Sequence, residues 1–185
     1  MADNYLEKKM EEFKAMPSAG VASKNSQKKS TVISKLVAEN RYYKSFDNRI
    51  IVREQHLKNL IDLVSEKSPN ASAEKLHYYP TTNLSEVSAI LDYLKIHNPE
   101  LINFQNQEQL PKSFILIGCN RAADSNTSKI LYFQLGSISN TITLRATEMG
   151  LNGTSIILSG HNNLQDLLKL PFIPHVAIAI GKGRL

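Results

Sequence analysis

The stretch from about Lys129 to Met149 constrains the fold more than any other part of the sequence. It reads as one long helix, yet its apolar residues (Ile130, Leu131, Phe133, Leu135, Ile138, Ile142, Leu144, Ala146 and Met149) occupy more than one side. A helix apolar nearly all round has to be covered on all sides. Gly150 suits the C-cap position that closes it. The runs SFILIGC, TSIIL and HVAIAIG are short and continuously apolar, as in strands buried on both faces. Strands of this kind alternating with helices indicate a three-layer α/β or α+β domain. One face of the long helix can cover the sheet of its own subunit. Phe133, Ile142 and Leu144 are then left over as an apolar patch of a kind monomers rarely keep, so a homodimer is expected.

The remaining elements are shorter. Ile33, Leu36 and Val37 share a helical face, and Leu57, Leu60, Ile61 and Val64 form one apolar stripe ending before the turn SPNAS. LHYYPTT reads as a strand in which Pro80 marks an edge or an end. Asn83 or Ser85 can cap a helix carrying Leu84, Val87, Ile90, Leu91 and Leu94. NNLQDLLKL reads as a short helix with Asn162 or Asn163 as cap. Residues 1–30 are different: a short charged helix pattern is followed by PSAGVASKNSQKKS, an arm that is either solvated or wrapped on a partner subunit.

The chain has 185 residues, 42% of them hydrophobic and 21% charged, which suits one globular body. A single cysteine, Cys119, excludes an internal disulfide framework and suits a reducing, cytoplasmic setting. Cys119 ends an apolar run and is expected as a core thiol. No apolar run approaches the length of a membrane span, and the charged N-terminus has no signal-peptide core. The net charge of +5 favours anionic ligands but is too mild to indicate nucleic acid. The five histidines make no HxxxH or HxH pair, so no zinc site is expected. There is also no phosphate loop, no GxGxxG and no nucleophile elbow.

Three polar clusters remain. NRYYKSFD, residues 40–47, combines Arg41 and Lys44 with Tyr42 and Tyr43 at a helix end. Those donors suit a phosphate, and cations also favour the negative end of a helix whatever they bind. SPNASAEK, residues 68–75, is a polar turn ahead of a strand. GKGRL places Lys182 and Arg184 after the last apolar run.

In order and spacing these segments resemble the nitroreductase family of FMN-dependent oxidoreductases, over about residues 31–185. NRYYKSF stands where that family has an R-x-S-x-R-like motif and an aromatic residue. SEKSPNASAEKLHYY stands where it has a turn like APSxxNxQPW, and TLRATEMGLNGTSII resembles the end of its long core helix. In the gapless register the first motif Arg falls on Asn40 beside Arg41, and the motif Ser on Tyr42. The turn's Asn falls on Ala73, its Gln on Lys75 and its Trp on His77. ILSG keeps the glycine of the family's P-x-x-G loop as Gly160.

The resemblance implies an α+β fold: a three-layer α/β/α sandwich with a mostly antiparallel sheet, assembled as a homodimer with flavins at the interface. It implies FMN as cofactor, NADH or NADPH as electron donor, and a nitroaromatic, quinone or similar small molecule as acceptor. Arg41, Lys182 and Arg184 would hold the FMN phosphate. Lys44 would lie by the phosphate or the pyrimidine edge, with Tyr42 in the same motif. Ser72 and Lys75 would supply the turn's polar contacts, and Ser159 and Gly160 would face the flavin N5 edge. The flavin carries the chemistry, so no side chain need act as nucleophile. A flavin-binding protein without turnover is the alternative, and neither a membrane nor a nucleic-acid partner is expected.

Overall fold

The computed structural model describes residues 32–67, 75–120, 127–158 and 163–184. The N-terminal arm and the proposed site residues Ser72, Ser159 and Gly160 lie outside the described residues. In chain order the elements are α1 (Val32–Glu39), β1 (Ser45–Phe46), α2 (Glu54–Lys67), β2 (His77–Thr81), α3 (Leu84–His97), β3 (Phe114–Cys119), α4 (Thr127–Glu148), β4 (Asn152–Ile157), α5 (Asn163–Leu168), β5 (Ile173–Gly181) and β6 (Gly183–Arg184).

The three apolar runs form β3, β4 and β5, and with β2 they build one sheet in the order β2-β3-β5-β4. All of its pairings are antiparallel. Side chains alternate between faces along a strand, and here both faces are covered. Phe114, Leu116, Ala177 and Ala179 face a layer holding Val87, Ile90 and Leu94 of α3 and Leu164 of α5. Ile115, Ile117, Val176, Ile178 and Ile180 face Leu57, Leu60 and Val64 of α2 and the buried stripe of α4. Every residue of β3 is buried, as its uninterrupted apolar run requires. Burial of each such side chain contributes roughly 1.5–3 kcal/mol against conformational entropy. The sandwich expected from the sequence is therefore present.

Local chemistry sets the boundaries. Pro80 lies in β2, an edge strand bonded only to β3, the place in a sheet where proline is tolerated. Asn83 is the cap of α3: its Oδ1 accepts from the Ser85 backbone N–H at 3.0 Å. Glu86 accepts from the Thr81 hydroxyl at 2.6 Å and the Tyr79 hydroxyl at 3.0 Å, fastening the helix start to β2. Gly150 stops α4 with a φ of +77°.

The long helix corrects one expectation. Ile142 is fully buried against its own sheet, in line with Leu131, Leu135, Ile138 and Ala146. Phe133 is 78% exposed, and Leu144 is half-buried. Periodicity counts apolar faces but does not say which of two adjacent faces meets the sheet. In α1, likewise, Val37 is exposed although it shares a stripe with Leu36.

Candidate cofactor-binding site

The first and last polar clusters, distant in sequence, meet at one end of the sheet. β1 and β6 pair antiparallel, with Ser45 opposite Arg184 and Phe46 opposite Gly183. The Asp47 N–H donates to the Lys182 carbonyl at 2.7 Å. Tyr43 is fixed at both backbone groups by one side chain: its N–H donates to Thr154 Oγ1 at 3.0 Å, and that hydroxyl donates to its carbonyl at 2.9 Å. Glycine makes the close approach possible. A Cβ on Gly183 would stand 2.3 Å from the Tyr43 ring, and one on Gly181 2.8 Å from the Phe46 ring.

This ribbon carries most of the expected phosphate ligands on its surface. Lys44 and Lys182 are exposed and make no ion pair with a described residue. Arg184 lies 3.4 Å from Asp47 Oδ1. Asp47 is gripped by Arg49, whose side-chain hydrogen bonds, then its backbone N–H, then the charge of Arg184 hold the carboxyl well below the usual carboxylate range. Arg41 is exposed, and its Nε donates to the Ala38 carbonyl at 2.7 Å, so it also serves the end of α1. The Tyr42 hydroxyl donates to the Leu101 carbonyl at 2.7 Å. Its pKa is pushed up to about 12, chiefly by burial and also by the negative charge of Glu100.

That bond points to a part of the site the sequence did not disclose. Residues 99–105 fold back against the ribbon, and the Asn103 N–H donates to the Lys44 carbonyl at 2.8 Å. Together they enclose an open cleft of about 490 Å³ lined by Lys44, Ser45, Lys95, Glu100, Asn103, Phe104 and Gln105, among others. Its size is that of a small-molecule site. The segment has no periodicity, so Asn103 and Gln105 gave no signal beyond their polarity; Lys95 lies in the last turn of α3. Lys44 and Lys95 line the cleft together with one carboxylate, Glu100, and Arg184 lies on the strand paired with β1; cations of this kind are suitable donors to a phosphate.

The other expected residues are not gathered here. Lys75 is exposed and leads into β2, whose His77 pairs with Gly118 at the far end of β3 from Phe114. Phe114 in turn pairs with Ala179, near the ribbon. One subunit thus places Lys75 and the ribbon cations at opposite ends of the sheet. His77 stacks on Phe172 at a centroid distance of 5.4 Å. Cys119 is buried as expected, its Sγ 3.5 Å from His175 Nε2. Among the described residues no helix is long and apolar enough to cross a membrane.

No family model matches the sequence, and no curated protein matches it. Solved structures do. A nitroreductase with bound FMN from Bacteroides fragilis superposes with a TM-score of 0.61 at 10% identity, covering 83% of this chain and 89% of its own. An FMN-dependent nitroreductase from Clostridium difficile gives 0.60 at 12% identity, covering 81% and 87%. Nitroreductase A from Vibrio parahaemolyticus gives 0.60 at 15% identity, covering 82% and 67%. The antiparallel sheet between two helical layers is thus similar in fold to these nitroreductases, at 10–15% sequence identity.

Proposed function

We propose that this chain is an FMN-dependent oxidoreductase that passes a hydride from NADH or NADPH to a nitroaromatic, quinone or similar acceptor. The observation that carries the reading is the β1–β6 pairing, which sets the strand bearing Arg184, with Lys182 just before it, against the strand that follows Lys44, a lining residue of the cleft. Arg41, Lys182 and Arg184 would hold the phosphate, and Lys44 would lie by the pyrimidine edge. When bound, FMN would supply the redox chemistry by accepting and releasing a hydride. The ammonium of Lys44 would favour negative charge that develops on the ring. Tyr42 orients the 99–105 segment through its Leu101 bond and keeps its own proton, since its pKa is about 12. The structural likeness supports the fold of such an enzyme, and the donor set supports the phosphate.

The working unit in this reading is a homodimer. Phe133 and Ile130 on α4, 78% and 61% exposed, are the apolar residues that pairing would cover. A second subunit would also deliver the turn holding Ser72 and Lys75, and the reading places Ser159 and Gly160 at the N5 edge. Light scattering should report about twice 20.7 kDa, roughly 41 kDa. The purified protein should be yellow, and its extracted chromophore should run as FMN and support NAD(P)H oxidation with a quinone acceptor. A colourless protein that takes up no FMN overturns the proposal. Bound FMN without turnover leaves a binding module.

A further inference from the structure

Beside the cation ribbon, the same end of the sheet carries a second, smaller hollow of about 170 Å³. It lies between the loop 47–52, the start of α3 and Lys112. Its floor is apolar and buried: Phe46, Ile180 and Gly181. Its rim is apolar and exposed, with Ile51 at 78%, Leu84 at 73% and Ile50 at 48%. Single exposed aliphatic side chains are ordinary on a protein surface. Several around one hollow form a patch of the kind that marks an interaction site.

The charge at the hollow that lacks an ion-pair partner among the described residues is positive. Lys112 lines it, and Arg53 follows the lining residue Val52. Both are exposed, and neither makes an ion pair with a described residue. The one carboxylate in the lining, Asp47, is already held by Arg49 and Arg184. Of the two charged lining residues, Asp47 is thus already paired, and Lys112 makes no ion pair with a described residue; the nearby Glu86 is engaged by the Thr81 and Tyr79 hydroxyls.

We infer that this hollow docks an acidic protein segment, which inserts one large apolar side chain between Ile51 and Leu84 and sets its carboxylates on Lys112 and Arg53. The size suits this, because an apolar cavity of about 150 Å³ accommodates a benzene ring. A concave floor beneath the rim favours an anchored side chain over a lipid surface, for which protruding residues alone would serve. The inference stands apart from the flavin reading, since none of these residues is placed on the cofactor.

The test uses the purified full chain and a fluorescein-labelled peptide with one phenylalanine flanked by aspartates and glutamates. Fluorescence anisotropy should show saturable binding that weakens with salt. The same peptide with alanine in place of phenylalanine should bind at least about tenfold more weakly. Leu84→Asp and Ile51→Asp should each abolish binding, and Lys112→Glu should weaken it by about tenfold at low salt. All of these positions are exposed, and unchanged thermal unfolding and flavin content would confirm that the variants fold. Equal binding of the two peptides, or binding indifferent to both Leu84→Asp and Lys112→Glu, overturns the inference. Absence of peptide binding also overturns it; if the chain then sediments with phosphatidylserine vesicles and Leu84→Asp does not, the patch belongs to a lipid surface.

Discussion

The side-chain carbonyl of Asn152, at the start of β4, accepts the Gly183 N–H at 2.9 Å. Its amide donates to the Glu39 carbonyl at 3.4 Å, so one buried residue ties the end of α1 to the C-terminal ribbon. Asn152→Ala strands the Gly183 donor in a part-buried position. The expected loss is about 1–3 kcal/mol of stability. Urea unfolding should show a lower midpoint with an unchanged slope. An unchanged midpoint would mean that the ribbon is held by other contacts.

Two glycines should respond to alanine with opposite sign. A Cβ on Gly118 would lie 1.8 Å from the Ile173 carbonyl oxygen, where the β3–β5 register shifts. Backbone cannot swing aside as a side chain can, so Gly118→Ala should cost about 3 kcal/mol, at the upper end for overpacking. Gly136 lies within α4 with nothing within 4 Å of a built Cβ. Gly136→Ala should therefore stabilise the protein by about 0.5–1 kcal/mol. Thermal unfolding of the pair checks both, and a destabilised Gly136→Ala would show that the space above the helix is occupied.

Tyr42 should impose an alkaline limit. Its folded-state pKa is about 12, above the ordinary value of 10.0. A raised pKa on an acid means that the neutral form is favoured by folding. That contribution is complete below about pH 10 and fades as pH climbs towards about 12. Tyr42→Phe removes it. The stability gap between wild type and variant, from denaturant melts at about pH 9 and about pH 11, should narrow at the higher pH. A constant gap would place the Leu101 bond outside the pH response.

Replacing Arg41 and Lys44 together by alanine should lower flavin occupancy. Each lost charge-assisted contact should cost on the order of 1.5–3 kcal/mol of binding. Neither side chain is buried, so the thermal midpoint of the flavin-free protein should fall only by the small amount that loss of the exposed Arg41 bond to the Ala38 carbonyl accounts for. Unchanged flavin content in the double variant would move the phosphate away from the ribbon.

What could be read from the sequence follows from how far each signal reaches along the chain. β3 and β5 were legible because Phe114 to Cys119 and Val176 to Ile180 leave no polar face for water. Gly150 announced a helix end, and the pair Asn83 or Ser85 a helix start, through chemistry confined to a turn; the structure makes Asn83 the cap. Nothing local encodes the pairing of Ser45 with Arg184, because strands of two residues have no pattern; only the cations hinted at a shared role. The placement of Asn103 and Phe104 was equally silent, since it depends on bonds to Lys44 and Tyr42. Ile142 was misread because adjacent faces of α4 look alike until a sheet is set against one of them.

The position of β5 has a consequence for how the molecule comes into being. It is the last strand of the four in sequence, yet it sits between β3 and β4 and is bonded to both. While the ribosome is still making it, β4 has no neighbour in that sheet and β3 exposes an unpaired, fully apolar edge. Unpaired edges and bare apolar surface invite association with other chains. The sheet therefore cannot assemble progressively from the N-terminus. It must wait for Ile173 to Gly181 to be made, and until then the edges of β3 and β4 that β5 will cover stay open to other strands.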